Sequence, residues 1–326
     1  MRILIVKTSS MGDVIHCLPI IADILANFPG ALIDWVIEEN FVEILSLSPH
    51  IHSIIPVAVR RWRKRLFRRQ TWSEICAFKK QVQAEHYDVI LDVQSLFKSA
   101  LLATFAHGLR HGQNYKSTRE PVAALFYQRT HFIPRNQHAV AQNRALAAAA
   151  LNYPIPSKLP DYGLSAEALA PHLVPNAGFD LPDQYVIALH ATSRDSKLWP
   201  MPYWIALGQA LKSEGYAMVM PWGNEHEHLR ANAIADEVPS SIVLAKLGLR
   251  KLASVIAGAR AAIGVDTGLI HLAIALKIPS IAIYTDTHPS LNGAYASVDS
   301  IAINLGNKNN IPEVSEVLAA FSTLKP

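Results

Sequence analysis

A small-residue turn near the start of the chain carries the residue types best suited to chemistry. The segment from Lys7 to His16 contains one glycine, Gly12, and one carboxylate, Asp13, directly after the apolar run Ile3–Val6. A strand that leads through such a turn into a helix forms a polar pocket at the carboxyl edge of a parallel sheet. A dinucleotide-binding turn would need three glycines here. The lone carboxylate instead predicts a general base, and therefore group transfer rather than redox chemistry.

A second turn of the same kind lies in the last third of the chain. The apolar run 261–265 leads into Asp266, Thr267 and Gly268, and His271 follows one helical turn later. Backbone N–H groups of Thr267 and Gly268 at a helix N-terminus would suit a phosphate. Asp266 would repel a diphosphate, so we expect it to accept hydrogen bonds from sugar hydroxyls, unless it simply caps the helix. His271 is either ligand-facing or a structural histidine.

Two further polar segments follow predicted strands in the second half. Thr192, Ser193 and Lys197 lie within six residues of one another, and they could hold a diphosphate and neutralise it as it leaves. Glu227, in the first turn of the helix predicted over Glu225–Asp236, could bind the two hydroxyls of a ribose. The alternatives are a solvated loop and a surface glutamate stabilised by the helix dipole. The shared position at strand ends favours the functional interpretation of both segments.

The positive charge of the chain is concentrated in one basic run, Arg60–Arg69. The formal net charge is +4, and removing the seven basic residues of this run leaves 23 basic against 26 acidic residues, a balance of −3. Trp62, Leu66 and Phe67 alternate with these charges, which favours a membrane surface or a phosphorylated lipid as partner. The alternatives are a solvated helix with no partner and a nucleic-acid-binding segment, although no nucleic-acid-binding module accompanies the run. Lys98 and Arg119 would extend this anion site.

The elements that must position these residues alternate between strand and helix patterns. Apolar strand patterns begin at Ile3, Ile33, Ser53 and Val89 in the first half, and one predicted helix covers Val14–Ala26. The alternation resumes after residue 182, and six of the 20 prolines fall between residues 152 and 182. The pattern predicts two doubly wound, Rossmann-like α/β domains that face each other across a cleft. The predicted bounds are 1–165, a linker at 166–182, and 183–326, with the last helix packing either there or back on the first domain.

Composition excludes several classes of protein. The 326 residues are half apolar and 17% charged, which is typical of a globular protein with two domains. No apolar run of about 18 residues occurs, so we expect a soluble, cytoplasmic protein. Cys17 and Cys76 are expected to be buried apolar side chains. Neither an Asp-x-Asp pair nor a His-Glu-x-x-His pattern is present, so we expect no metal.

These motifs, taken together and in order, resemble those of the ADP-heptose–lipopolysaccharide heptosyltransferase family. The start Lys-Thr-Ser-Ser-Met is more similar to the enzymes that add the first heptose than to those that add the second. One departure is the segment Thr285–Pro289, where relatives commonly have Gly-Pro-Thr, and another is Ser193, where threonine is usual. The shared motifs are Lys-Thr-Ser-Ser-Met-Gly-Asp at 7–13, Arg-Arg-Trp-Arg-Lys at 60–64, Arg-Glu-Pro at 119–121, Lys-x-Trp-Pro at 197–200, Pro-Trp-Gly at 221–223 and Val-Asp-Thr-Gly-Leu-x-His at 265–271.

The resemblance implies a GT-B fold and an activity. The implied reaction is an inverting, metal-independent transfer of L-glycero-D-manno-heptose from ADP-heptose to the first Kdo of Kdo-lipid A, in synthesis of the lipopolysaccharide inner core, without a cofactor. The implied partners are ADP-heptose, Kdo-lipid A and the inner-leaflet membrane surface, with no nucleic acid. The protein would be a monomer, cytoplasmic and peripherally associated with the inner membrane.

The resemblance also implies a role for each matched residue. Asp13 would be the general base that takes the proton from the Kdo hydroxyl. Two alternatives stay open: a transferase of the same fold with another nucleotide sugar or acceptor, and a non-catalytic anion- or nucleic-acid-binding protein. The implied donor-binding residues are Thr192, Ser193, Lys197, Glu227, Leu247, Asp266, Thr267, Gly268 and His271. The implied acceptor-binding residues are Ser10, Arg60, Arg61, Arg63, Lys64, Lys98 and Arg119.

Overall fold

The computed structural model describes residues 1–164 and 181–324 of the chain. The chain divides into two compact units, Met1–Gly163 and Leu164–Pro326. All but the last two residues of the predicted linker at 166–182 lie outside the described residues. The predicted linker therefore stays a prediction.

The first unit is built on a six-stranded parallel sheet with the strand order β3-β2-β1-β4-β5-β6. Its strands are β1 (Arg2–Val6), β2 (Leu32–Glu38), β3 (Ser53–Val57), β4 (His86–Asp92), β5 (His107–Gln113) and β6 (Arg129–His131). Its α-helices are α1 (Met11–Ile15), α2 (Pro19–Asn27), α3 (Val42–Leu45), α4 (Val59–Trp62), α5 (Arg69–Gln83), α6 (Phe97–Ala103) and α7 (Ala139–Leu151), and short 3-10 turns cover Glu39–Phe41 and Pro121–Phe126.

The central strand β1 of this unit is apolar after its first residue, Arg2. Residues 3–6 of β1 are completely or almost completely buried, because helices cover both faces of a parallel sheet. The indole of Trp35 in β2 is also fully buried, and its Nε1 donates to the Lys7 carbonyl at 3.0 Å. This bond joins β2 to the residue that directly follows β1.

The predicted helix over Val14–Ala26 is two helices in the structure. Helix α1 ends at Ile15, and α2 begins at Pro19. Proline has no backbone N–H to donate and its ring clashes with the carbonyl four residues earlier, so it favours the first position of a new helix. The apolar periodicity continues through the break, which is why the sequence predicts a single helix.

The second unit repeats the architecture with the order β12-β11-β10-β7-β8-β9, again all parallel. Its strands are β7 (Tyr185–Leu189), β8 (Ala217–Met220), β9 (Ile242–Val243), β10 (Ala261–Val265), β11 (Ser280–Tyr284) and β12 (Ala302–Gly306). Its described α-helices are α8 (Met201–Ser213), α9 (Glu225–Glu237), α10 (Leu249–Ala257), α11 (Gly268–Ala275), α12 (Pro289–Asn292) and α13 (Val314–Leu324).

The core of the second unit joins the sheet to its helices. Two fully buried indoles, Trp199 and Trp204, meet edge to face at 5.2 Å between ring centroids. The last helix, α13, belongs to the same core through Val317, Phe321 and Leu324. Burial of this apolar stripe holds α13 against the second sheet.

Both sheets have the doubly wound strand order. Successive strands are added on one side of the first strand and then on its other side, so that the order of strands reverses beside the first strand. The reversal lies between β1 and β4 in one unit and between β7 and β10 in the other. Ligands of such folds bind at the carboxyl ends of the strands next to this point. The predicted fold class, two doubly wound Rossmann-like units, is confirmed.

The two cysteines of the chain differ in their exposure. Cys17 is buried as expected, but Cys76 is exposed, so the prediction for Cys76 is wrong. Cys76 lies on α5, whose buried side chains are Thr71, Phe78 and Val82, and it falls on another face of that helix.

Of the helices in the described ranges, none has both the length and the apolar character needed to cross a bilayer.

Candidate active site

The turn after β1 places Asp13 at the carboxyl edge of the first sheet, beside the point of reversal. Asp13 lies in α1, and its Oδ2 accepts hydrogen bonds from the Ser10 backbone N–H at 2.9 Å and from the Ser10 hydroxyl at 2.7 Å. The other oxygen, Oδ1, makes no hydrogen bond within the described residues. One oxygen of the carboxylate is therefore held in place while the other is available to a ligand.

The charges around Asp13 favour its ionised form. Burial raises the pKa of this carboxyl, but the positive charge of Lys7, the two bonds from Ser10 and the charge of Arg119 together lower the pKa below its ordinary value. The lowered pKa keeps Asp13 ionised at neutral pH, which is the state that a general base requires.

Lys98 brings further positive charge to the same turn. It lies in α6, after β4, and its Nζ donates to the Ser9 hydroxyl at 3.3 Å. Burial lowers the pKa of Lys98, and the nearby charges of Arg60 and Arg63 lower that pKa further, while Glu38 and Glu120 raise it. The structure thus brings Lys98, Arg60 and Arg63 into one electrostatic neighbourhood.

Arg61 differs from its neighbours because its charge is compensated. Its guanidinium donates to both carboxylate oxygens of Glu39, at 3.2 and 3.0 Å, and to Glu74 at 2.9 Å. Arg61 therefore joins the turn after β2 to helix α5. Lys64 is exposed and, with Arg60 and Arg61, lines a surface pocket of about 280 Å³.

Glu38 is a residue of this region that the sequence does not single out. It closes β2, is 1% exposed, and accepts the Arg60 backbone N–H at 2.9 Å. A glutamate at the end of an apolar strand is usually exposed, so the sequence gives no signal that this one is buried against the basic run.

In the second unit, Asp266 is the centre of a polar cluster at the end of β10. Its Oδ2 pairs with Lys197 Nζ at 2.6 Å and accepts the Thr287 hydroxyl at 2.8 Å. The hydroxyl of Thr192 donates to the Asp266 carbonyl at 2.8 Å. The N-cap of α11 is Thr267, so Asp266 is not the cap of that helix.

The segment after β11, in which this chain departs from the family that it resembles, contacts the predicted diphosphate turn. Thr285 donates its hydroxyl to the Ser196 carbonyl at 2.9 Å, and Ser196 donates its hydroxyl to Asp286 at 2.6 Å. Together with the bond from Thr287 to Asp266, these contacts add three residues to the site. The sequence shows that Thr285–Pro289 differs from the Gly-Pro-Thr of relatives, but it cannot show what these side chains contact.

Glu227 lies at the start of α9, at the carboxyl end of β8. Its two carboxylate oxygens accept the Gly223 backbone N–H and the Asn224 side-chain amide, each at 2.7 Å. Asn224 caps α9 by accepting the Glu227 N–H at 3.0 Å. Trp222, in the loop before α9, stacks on His228 in the first turn of that helix, with ring centroids 4.2 Å apart. These contacts orient Glu227, and each carboxylate oxygen can still accept a further hydrogen bond.

The other predicted donor residues lie at the same edge of the second sheet. Ser193 is exposed after β7, Leu247 is half-buried between β9 and α10, and Gly268 is the first residue of α11. His271 is 5% exposed, one turn into that helix. In residues 1–164 and 181–324, no group of three or more His, Cys, Asp or Glu side chains is placed to hold a metal ion.

The two edges offer complementary chemistry. The first presents an ionised carboxylate among lysines and arginines, which suits proton abstraction from an anionic substrate. The second presents a lysine, hydroxyls and a helix N-terminus, which suit a phosphate. The roles of the individual residues remain predictions.

Known proteins with the same sequence pattern are heptosyltransferases. The model of glycosyltransferase family 9 (heptosyltransferase) matches residues 75–319. The chain is 45% identical over 296 residues to lipopolysaccharide heptosyltransferase 1 of Escherichia coli strain K12, covering 90% of this chain and 91% of that protein. It is 42% identical over 296 residues to lipopolysaccharide heptosyltransferase 1 of Pseudomonas aeruginosa, covering 90% of this chain and 81% of that protein.

Solved structures agree with the sequence comparison. The E. coli heptosyltransferase WaaC with ADP superimposes with a TM-score of 0.91 and 41% identity, covering 99% of this chain and 100% of that one. The same enzyme with ADP-2-deoxy-2-fluoro heptose gives a TM-score of 0.86 and 39% identity, covering 99% of each chain. The GT-B fold implied by the motifs is confirmed. The family model and the curated relatives each cover well over half of the sequence, and on that ground the chain belongs to glycosyltransferase family 9, the heptosyltransferases.

Proposed function

We propose that this protein transfers L-glycero-D-manno-heptose from ADP-heptose to the first Kdo of Kdo-lipid A, with inversion at the anomeric carbon and without a metal. The observation that carries the proposal is the ionised carboxylate of Asp13, with Oδ2 held by Ser10 and Lys7 and Arg119 supplying positive charge. The relatives that are 42 and 45% identical are lipopolysaccharide heptosyltransferases 1. Their name supports the choice of heptose and of the lipopolysaccharide acceptor.

The acceptor side of the reaction is proton abstraction by Asp13. The carboxylate takes the proton from a Kdo hydroxyl as that oxygen forms its bond to the anomeric carbon of heptose. The bond from the anomeric carbon to the donor phosphate breaks, and ADP leaves with that electron pair. A single displacement of this kind inverts the anomeric centre, and it needs one base and a stabilised leaving group.

The donor side uses the cluster around Lys197. In the structure, Lys197 pairs with Asp266, and a bound diphosphate would compete with that carboxylate for the ammonium group. Thr192, Ser193 and the N-terminus of α11 add donors for the phosphates, and Glu227 accepts the ribose hydroxyls. Lys197 and the helix dipole would stabilise the charge on departing ADP, so we propose that the reaction needs no metal ion or other cofactor.

The basic run and its exposed apolar side chains would contact the cytoplasmic face of the inner membrane. Phe67 is fully exposed, and Leu66 and Trp72 are about half exposed beside the arginines. Apolar side chains among positive charges suit an anionic lipid surface. On this account the protein is a cytoplasmic, peripheral monomer that does not act on nucleic acid.

Vesicle binding tests the membrane proposal. We expect binding to phosphatidylglycerol vesicles to exceed binding to phosphatidylcholine vesicles and to weaken with salt, because the attraction is electrostatic. Phe67→Ser should weaken binding, whereas the matched change Leu229→Ser, at an exposed leucine of the second unit, should not. Equal effects of the two substitutions would refute a role for the basic run.

Calorimetry with nucleotides tests the donor proposal. ADP and ADP-heptose should bind more tightly than UDP, and a short RNA should not bind. Tighter binding of UDP would favour a transferase with another nucleotide sugar. Binding of RNA with no response to ADP would favour the anion-binding alternative.

A further inference from the structure

A buried carboxylate next to the Asp13 turn organises the end of β4. Asp92 is fully buried, and its Oδ1 accepts the backbone N–H groups of Gln94 at 2.9 Å and Ser95 at 3.1 Å. Its Oδ2 accepts the hydroxyls of Ser99 at 2.9 Å and Tyr127 at 2.7 Å. With four donors, this carboxylate fixes the backbone that follows β4.

Gln94 connects that backbone to the strand next to it. Its side chain is almost fully buried, and its Oε1 accepts the backbone N–H groups of Thr8 at 2.9 Å and Ser9 at 3.2 Å. The backbone N–H of Gln94 donates to the Val6 carbonyl at 3.3 Å. One side chain therefore satisfies two buried donors of the turn that leads to Asp13.

We propose that Gln94 is a positioning residue for Asp13, an inference that rests on the proposed function. Thr8 and Ser9 directly precede Ser10, and the backbone N–H and the hydroxyl of Ser10 both hold Asp13 Oδ2. The line of contacts runs from Asp92 through Gln94 and this turn to Asp13. Within residues 1–164 and 181–324, the Gln94 side chain is hydrogen-bonded to this turn and not to Asp13 itself.

The amide side chain suits this position for two reasons. An apolar side chain would leave the buried N–H groups of Thr8 and Ser9 unpaired, which is costly for buried donors. A carboxylate would accept the same bonds, but it would add negative charge near Asp13 and raise the pKa of that base. Glutamine holds the turn and leaves the charge of the site unchanged.

Two variants of Gln94 test the proposal. Gln94→Met keeps the length of the side chain and removes the acceptor, so we expect kcat to fall about 100-fold through displacement of Asp13, with KM for ADP-heptose unchanged within about twofold. Gln94→Glu keeps the acceptor and should recover most of this loss near neutral pH. The acid limb of its pH–rate profile should lie at higher pH than in the wild type, because the base is harder to deprotonate. A role in stability alone would lower Tm in Gln94→Met without the loss of kcat.

Tyr185→Phe supplies the matched control for loss of a buried hydrogen bond. The Tyr185 hydroxyl donates to the Val255 carbonyl at 2.6 Å in the second unit, so its removal should lower Tm without changing kcat. Wild-type kcat in Gln94→Met, or a Gln94→Glu variant as slow as Gln94→Met with an unmoved pH limb, would overturn the proposal.

Amide hydrogen exchange separates this proposal from the proposed function. In Gln94→Met the amides of Thr8 and Ser9 should exchange faster than in the wild type, while those of β7 keep their rates. This measurement needs no substrate. A wild-type protein that fails to transfer heptose would refute the proposed function, and hydrogen exchange at Thr8 and Ser9 would still decide whether Gln94 holds the turn. Unchanged exchange at Thr8 and Ser9 would overturn the positioning role whatever the activity.

Discussion

At the scale of single residues, Asp13 combines two properties that a general base needs. It is ionised because Lys7, Ser10 and Arg119 lower its pKa against the effect of burial. It is also held, because Ser10 donates twice to one of its oxygens. The sequence predicts the carboxylate from its place in a small-residue turn, but the hydrogen bonds that hold it are visible only in the structure.

Removing the carboxylate tests its role. We expect Asp13→Ala and Asp13→Asn to lower kcat by about 10²- to 10⁴-fold, because each lacks the base. Affinity for ADP-heptose should stay nearly unchanged, since the proposed donor residues lie in the second unit. Asparagine can still accept the bonds from Ser10, so Asp13→Asn controls for the shape of the turn. Transfer assays and calorimetry measure the two quantities, and an active Asp13→Asn or a matching loss of donor binding would contradict the assignment.

At the scale of elements, the strands next to the Asp13 turn are held by a close contact between a glycine and a tyrosine ring. Gly112 in β5 lies against the ring of Tyr127, whose hydroxyl donates to Asp92. A methyl group at residue 112 would overlap that ring. Strands β4 and β5 are thus joined through a buried tyrosine that periodicity alone does not predict.

Gly112→Ala should destabilise the fold by about 1–3 kcal/mol, because the added methyl group overpacks the contact with Tyr127. Urea unfolding measures the change in free energy. Gly223→Ala is the control, since its Cβ would meet only the flexible end of Glu227, at 3.3 Å, and it should be neutral or slightly stabilising. Equal destabilisation by the two substitutions would show that loss of glycine, rather than crowding, is the cause.

Apolar patterning predicts most of the central strands, but it does not predict three strands at or near the edges of the sheets. No strand is predicted from the sequence at β5, β6 or β12. Strand β5 contains His107, Gly108 and Gly112, the three residues of β6 are polar, and β12 offers only a short alternation of apolar residues. Proline at 19 splits a helix that periodicity alone makes continuous. The positions of the polar turns follow from the order of strands, so the candidate residues could be named from sequence. The bonds of Arg60 to Glu38 and of Thr287 to Asp266 depend on three-dimensional packing and could not be predicted. The same holds for the support that Gln94 gives to the turn before Asp13.

At the scale of the whole molecule, each unit buries a histidine that resists protonation. Burial is the main reason why the pKa of His111 is lowered to about 4, and the charges of His131 and Arg129 lower it further. Burial is also the main reason why the pKa of His190 is lowered to about 4, and the charge of Arg230 adds to the effect. In the unfolded chain both titrate near their ordinary value of about 6.5.

Stability should therefore fall on acidification. Between about pH 6.5 and 4 the unfolded chain binds protons that the folded protein does not, so the free energy of unfolding decreases by at most about 3 kcal/mol for each histidine. Burial raises the pKa of Asp92 to about 6, which acts in the opposite direction and offsets part of this loss. Thermal unfolding should give a lower Tm at pH 5 than at pH 7. A His111→Asn, His190→Asn double variant should lose less stability over this range, and an unchanged pH dependence would contradict the account.

The central claim is transfer of one heptose from ADP-heptose to Kdo-lipid A, and mass spectrometry of the acceptor tests it most directly. The wild-type protein is incubated with both substrates in the presence of EDTA, with Asp13→Asn as the inactive control. The account predicts that the acceptor mass increases by a single heptose and that ADP appears in equal amount. An unmodified acceptor, or transfer that appears only when a divalent metal is added, would contradict it.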